Sequence, residues 1–148
     1  MLIGEYHHNI DEKSRIVLPA KYREELGNNF IITRGLDGCL FIYPNEEWQK
    51  IIEKLKDLPF TKKDARAFLR FFLSGAIEST FDKQGRVFIP GQLVNYASIN
   101  KECVIIGVNE RLEIWSKEKY DEFFSSNEQN ITDIAEDLFS LGGINEAY

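Results

Sequence analysis

Hydrophobic residues fall along this chain in short blocks whose period shifts between two and about 3.6. Residues 2–9 and the β-branched run 15–18, closed by Pro19, read as strands. Pro19 opens a short helix over 20–26, for which Gly27 is a natural stop. The apolar runs 30–34 and 39–43 flank Gly35-Leu36-Asp37-Gly38 and predict a hairpin. Pro44 breaks the sheet. Asn45 is placed to cap a helix running to Leu58, on which Trp48, Ile51, Ile52 and Leu55 share one face. A second helix starts at the capping sequence Thr61-Lys62-Lys63-Asp64 and carries Ala65, Phe68, Leu69 and Phe72 on one side.

The same order then repeats. Gly4, Asp11, Arg15 and Pro19 recur 71 positions later as Gly75, Asp82, Arg86 and Pro90. Residues 90–97 take the place of the first short helix, 103–107 that of 31–35, and 112–115 that of 40–43. Ser116 is placed to cap a helix bearing Tyr120, Phe123 and Phe124, which matches the Trp48 helix. A last amphipathic piece with Ile131, Ile134, Ala135, Leu138 and Phe139 has no counterpart in the first half and predicts a peripheral helix ending at Gly142-Gly143. The chain is therefore two copies of one unit in an α+β arrangement. The expected organisation is a first repeat at 1–58, a connecting helix at 59–74, a second repeat at 75–126 and an acidic helix and tail at 127–148. No Gly/Ser-rich linker separates the copies, which predicts that they pack together.

Composition narrows the class. With 148 residues, 43% hydrophobic and 13% aromatic, the chain can bury a real core. The start of the chain has no basic and apolar leader, and no stretch approaches the roughly 18 apolar residues of a membrane helix, so a cytoplasmic protein without membrane association is expected. Cys39 and Cys103 sit in apolar runs without paired spacing and read as buried free thiols. The net charge of −6 is unevenly spread: seven acidic and no basic residues lie in 121–148, which leaves 18 basic against 17 acidic groups in 1–120. The overall acidity therefore does not exclude a local basic patch.

The centre of each copy is a five-residue signature, Asp11-Glu12-Lys13-Ser14-Arg15 and Asp82-Lys83-Gln84-Gly85-Arg86. Five residues between short strands suit a hairpin turn in which the aspartate bonds the turn backbone and Gly85 supplies a positive φ. Ser14, at the equivalent position, tolerates that conformation less well. Alternation puts Arg15 with Val17 on one face and Ile16 with Leu18 on the other, and likewise Arg86 with Phe88 against Val87 with Ile89. A guanidinium at such a tip can pair with its own aspartate and merely lock the turn. It can equally present planar donors to a phosphate or to a guanine edge. Two tips related by an approximate twofold, multiplied by assembly, fit a duplex with repeated sites.

These elements together resemble the MraZ family. The resemblance rests on Asp11, Arg15 and Pro19 within 4–26, on the run 33–44 followed by Trp48, on Asp82 to Pro90, and on Ile106-Gly107 and Glu113-Ile114-Trp115. It covers residues 1–124. It implies a bacterial transcriptional regulator of the division and cell-wall gene cluster. The implied fold is the swapped-hairpin β-barrel of AbrB-like DNA binders, internally duplicated and with flanking helices. The implied assembly is a ring, often an octamer, bound to direct repeats in the promoter of its own operon and hence nucleoid-associated. Carried over by position, Arg15 and Arg86 contact DNA with Lys13 and Lys83 beside them, while Asp11, Asp82 and Gly85 brace the turns. The first tip departs from the family pattern at Glu12 and Ser14, so the second is the cleaner example.

Other candidates read as structure. His7 and His8 are adjacent and face opposite sides of a strand, so they do not share a metal, and neither a metal nor a cofactor is expected. Lys21, Arg23 and the run Lys62, Lys63, Arg66, Arg70 read as solvated helix faces, with phosphate contact as the alternative. Phe71-Phe72, Phe123-Phe124, Trp48 and Trp115 read as core and subunit contacts. No phosphate loop, dinucleotide fingerprint, zinc-protease motif or activated nucleophile is present, so no enzymatic activity is expected. The competing reading is an oligomeric interaction or scaffold module whose arginines pair only within the protein.

Overall fold

A computed structural model describes residues 1–141. In chain order the elements are β1 (Leu2–Asn9), β2 (Arg15–Val17), α1 (Ala20–Leu26), β3 (Phe30–Arg34), β4 (Leu40–Pro44), α2 (Asn45–Leu55) and α3 (Lys63–Ser74). They continue as β5 (Ile77–Ser79), β6 (Arg86–Phe88), α4 (Gly91–Tyr96), β7 (Glu102–Asn109), β8 (Leu112–Ser116), α5 (Lys117–Glu128) and α6 (Ile131–Leu141). The fold is mixed α+β, with antiparallel strand pairing throughout.

Helix starts follow proline more closely than they follow side-chain caps. Pro19 and Pro90, at φ −64° and −58°, precede α1 and α4, and their carbonyls accept the first helical amides, from Tyr22 and Arg23 and from Leu93 and Val94. The expected cap at Asn45 is not formed: Pro44 holds the extended position before α2, so Asn45 is already helical and makes no capping bond. In the same way Lys62, not Thr61, is the extended residue before α3. The predicted Gly142-Gly143 stop lies outside the described residues.

Six strands form one sheet in the order β1-β7-β8-β4-β3-β5, and β2 pairs only with β6 in a separate two-stranded ribbon. Two expectations change here. The sheet is open and not a closed barrel, because its edges are an eight-residue β1 and a three-residue β5 that do not pair with each other. The strands flanking each signature also do not pair with one another as a local hairpin. Instead β1 of the first copy joins β7 of the second, β5 of the second joins β3 of the first, and β2 joins β6. Each copy thus completes the other. At Gly4↔Gly107 the pairing is so close that a Cβ on Gly107 would collide with the backbone of Leu2 and Ile3.

The middle of the sheet is covered on both faces, which explains the unbroken apolar runs in β3 and β4. On one face Phe30, Ile32, Leu40, Ile42, Ile105 and Ile114 join a core that includes Ile16, Leu18, Val87 and Ile89 from the ribbon and its flanks, with Tyr22 and Leu93 from α1 and α4. On the other face α2 and α3 pack through Trp48 and Phe72, whose rings stack at 5.5 Å, and the buried Thr33 hydroxyl donates to the Phe72 carbonyl at 2.6 Å. Cys39 and Cys103 are buried free thiols, and burial raises both pKa values, that of Cys103 to about 11.

Residues 1–117 form one compact unit, and the described residues from 118 onward form a second. Within the second, α5 carries a Tyr120–Phe124 ring contact at 5.9 Å, and Phe123 and Phe124 are exposed, which removes them from the expected core. On α6, Ile131, Ile134 and Leu138 are exposed as well. No helix among the described residues is long and apolar enough to cross a membrane.

Candidate nucleic-acid interface

Both signatures fold into the same turn, atom for atom. Asp11 Oδ1 accepts from the backbone amides of Lys13 and Arg15, each at 2.9 Å, and Oδ2 accepts from Arg15 Nε at 2.9 Å. Asp82 Oδ1 accepts from the amides of Gln84 and Arg86 at 2.9 Å, and Oδ2 from Arg86 Nε at 2.7 Å. The backbone closes alike, with Ser14 N–H donating to the Asp11 carbonyl and Gly85 N–H to that of Asp82, both at 3.0 Å. Each aspartate thus accepts three hydrogen bonds from its own turn. Amides aimed at a carboxylate favour its charged form, so the Asp11 and Asp82 pKa values lie below the ordinary 3.8, chiefly through the Arg15 and Arg86 amides.

Each turn places its fourth residue at positive φ, 61° for Ser14 and 75° for Gly85. The serine therefore accepts the same left-handed conformation, at a cost glycine avoids. A side chain at Gly85 would also make Arg23 shift, since an added Cβ would lie 2.7 Å from its Nη1. Arg23 is not a solvated helix residue: it reaches from α1 to the second turn and donates to the Leu18 carbonyl. Val94 stands at the same offset in the second copy. Sequence reasoning missed this role because nothing local to Arg23 points to a turn 62 positions away.

The ribbon brings the two arginines together. Arg15 pairs with Phe88, Ile16 with Val87 and Val17 with Arg86, so Ile16 and Val87 face the core at 1% and 0% exposure. The opposite face carries Arg15, Val17, Arg86 and Phe88. The arginines are diagonal neighbours on it, with Cα atoms roughly 7–8 Å apart by ladder geometry. Their side chains are 28% and 24% exposed, less open than a free tip. Only Nε of each is committed to the aspartate, so the terminal guanidinium nitrogens keep their donors.

The strands run antiparallel, so the turns lie at opposite ends of the ribbon, and each is tied to the other strand. Leu18 N–H donates to the Gly85 carbonyl at 3.2 Å and Ile89 N–H to that of Ser14 at 2.8 Å. Lys13 and Lys83 are both exposed on these turns, but at different positions, since Lys13 corresponds to Gln84 and Lys83 to Glu12. The ribbon thus carries two arginines on its outward face and an exposed lysine on the turn at each end. The basic run on α3 is not brought to it. Thr33, which holds α3, points away from the sheet face where Ile32 meets the ribbon core.

His7 is held by Glu5 at 2.6 Å and His8 meets the Tyr6 hydroxyl at 3.3 Å. Among the described residues no cluster of three His, Cys, Asp or Glu side chains could hold a metal.

Comparison with known proteins finds the same duplication. A family model for MraZ protein, antitoxin-like, matches twice, over residues 1–71 and 72–141. The chain is 58% identical over 144 residues to the transcriptional regulator MraZ of Clostridium tetani, covering 96% of this chain and 99% of that protein. It is also 58% identical over 142 residues to the transcriptional regulator MraZ of Clostridium acetobutylicum, again covering 96% and 99%.

Proposed function

The chain belongs to the MraZ family, and from that premise we propose that it is a DNA-binding transcriptional regulator with no enzymatic activity and no cofactor. Its targets are repeated promoter sites of the division and cell-wall gene cluster, its own operon included. The observation that carries the reading is the β2–β6 ribbon, which sets Arg15 and Arg86 on one outward face, each oriented by its own aspartate through Nε alone. A two-stranded ribbon fits the major groove, about 12 Å wide, where Arg bonds guanine O6 and N7 in bidentate fashion. Lys13 and Lys83 supply phosphate contacts at the two ends. Asp11, Asp82 and Gly85 hold the turns in shape.

The fold is read as the AbrB-like swapped-hairpin type, with the exchange of strands between copies as its support. Chains assemble into a ring, an octamer in this reading, that presents many ribbons to repeated sites at once. The protein acts in the cytoplasm at the nucleoid. The organisation is read as repeats at 1–58 and 75–126, a connector at 59–74 and an acidic segment at 127–148.

A second reading has a specific observation behind it: each arginine already has a carboxylate partner, as in a purely structural turn. The chain would then be an oligomeric interaction or scaffold module. Arg86→Ala separates the two. If Arg86 reads a base, gel-shift affinity for DNA from upstream of the chain's own gene falls roughly 5- to 150-fold. The size-exclusion profile of the variant stays that of the wild type. Unchanged affinity would defeat the assignment, and a footprint of repeated protected stretches on the same DNA would establish it independently.

A further inference from the structure

The outward face of the ribbon breaks the symmetry of the duplication at one apolar position. Arg15 and Arg86 correspond, but Val17 of the first copy corresponds to Phe88 of the second. Phe88 is 53% exposed, whereas Val17 is half-buried. The inner face of the ribbon is already filled by Ile16 and Val87, and Phe88 makes no ring contact among the described residues. A lone exposed apolar residue needs no explanation. This one lies directly across from Arg15 and two residues from Arg86, at the centre of the surface assigned to the duplex.

We propose that Phe88 is a specificity-determining residue that packs against the C5-methyl group of a thymine in the major groove. The proposal rests on the DNA-binding reading and deepens it. Thymine is the one base that presents an apolar group in the major groove, and Phe is among the side chains that meet it. The ring is rigid and large, so its contact area comes at little conformational cost. Val17 is shorter and half-buried, so the first copy offers no equal contact. The ribbon therefore has a direction: two arginines related by the pseudo-twofold, but one long apolar side chain on one side only. The site it reads is accordingly not palindromic.

Replacing thymine by uracil removes the methyl group and nothing else, which makes the test selective. Duplexes from upstream of the chain's own gene, each with a single thymine changed to uracil, are titrated with wild-type protein and with Phe88→Val and Phe88→Ala. For the wild type, one thymine in each protected repeat shows a loss of about fourfold on substitution, the effect of exposing one methyl group. Both variants bind the thymine and uracil duplexes equally, and their size-exclusion profiles match the wild type. Retention of the thymine preference in Phe88→Ala overturns the proposal, as does a wild-type protein indifferent to every methyl group in the repeat while Arg86→Ala still weakens binding. If Arg86→Ala binds as the wild type does, the DNA-binding reading itself falls and the proposal falls with it.

Discussion

At the scale of single residues the two turns are one design with one difference, Ser14 against Gly85. Gly85→Ser copies the first turn into the second and is predicted to destabilise the protein by about 1–2 kcal/mol, because it forces a side chain into positive φ. It also drives a Cβ against Arg23, 2.7 Å away, which nothing at Ser14 parallels in the sequence, where Val94 replaces that arginine. Thermal denaturation should show the lowered midpoint; an unchanged one would mean that Arg23 and the backbone adjust without loss. The aspartates give a pH prediction of definite sign. Their folded pKa values are depressed, so the stability they contribute is complete above the ordinary 3.8 and is lost as pH falls through the lower folded value. Carboxyl NMR titration should place Asp82 below 3.8, and a midpoint at or above it would contradict the hydrogen bonding described. The paired residues, their same-face alternation and the glycine requirement were legible in the sequence, because each follows from chemistry within five positions. Arg23 and the juxtaposition of Phe88 with Arg15 were not, because each depends on which strand the other copy supplies.

At the scale of elements, apolar periodicity located the strands and the core helices within a few residues, since the sheet is covered on both sides and its central strands had to be apolar throughout. Caps were less legible. Asn45 and Thr61 have the side chains of helix caps, yet the backbone turns helical directly after Pro44 and Lys62, so neither stands in the capping position. Asn45→Ala is therefore predicted to change stability by no more than about 0.5 kcal/mol, against about 1 kcal/mol for a residue that caps. Chemical denaturation distinguishes the two values. Strand partners were the least legible part: a five-residue turn between strands looks like a local hairpin, and only the three-dimensional exchange shows β2 leaving its neighbour for β6. That exchange makes the arginine pair a property of both copies together.

At the scale of the whole molecule, charge is the quantity that decides how it meets a polyanion. A chain of net charge −6 binds DNA only through a locally basic face, so the proposed binding should weaken steeply as salt rises. A logarithmic salt plot should be linear, and Lys83→Ala should reduce its slope by about one while lowering affinity evenly across sequences. A flat plot would favour the scaffold reading. The pairing of β1 with β7 has a consequence for how the protein is made. Leu2 meets Asn109 and Asn9 meets Glu102, so the first strand finds its partner only after the second copy has been translated. At about 5–20 residues per second that interval lasts roughly 5–20 seconds, far longer than a strand needs to pair. Throughout it, β1 and β2 are open edges near other nascent chains from the same message. The first copy therefore waits on the ribosome with unpaired strand edges until the second copy arrives to cover them.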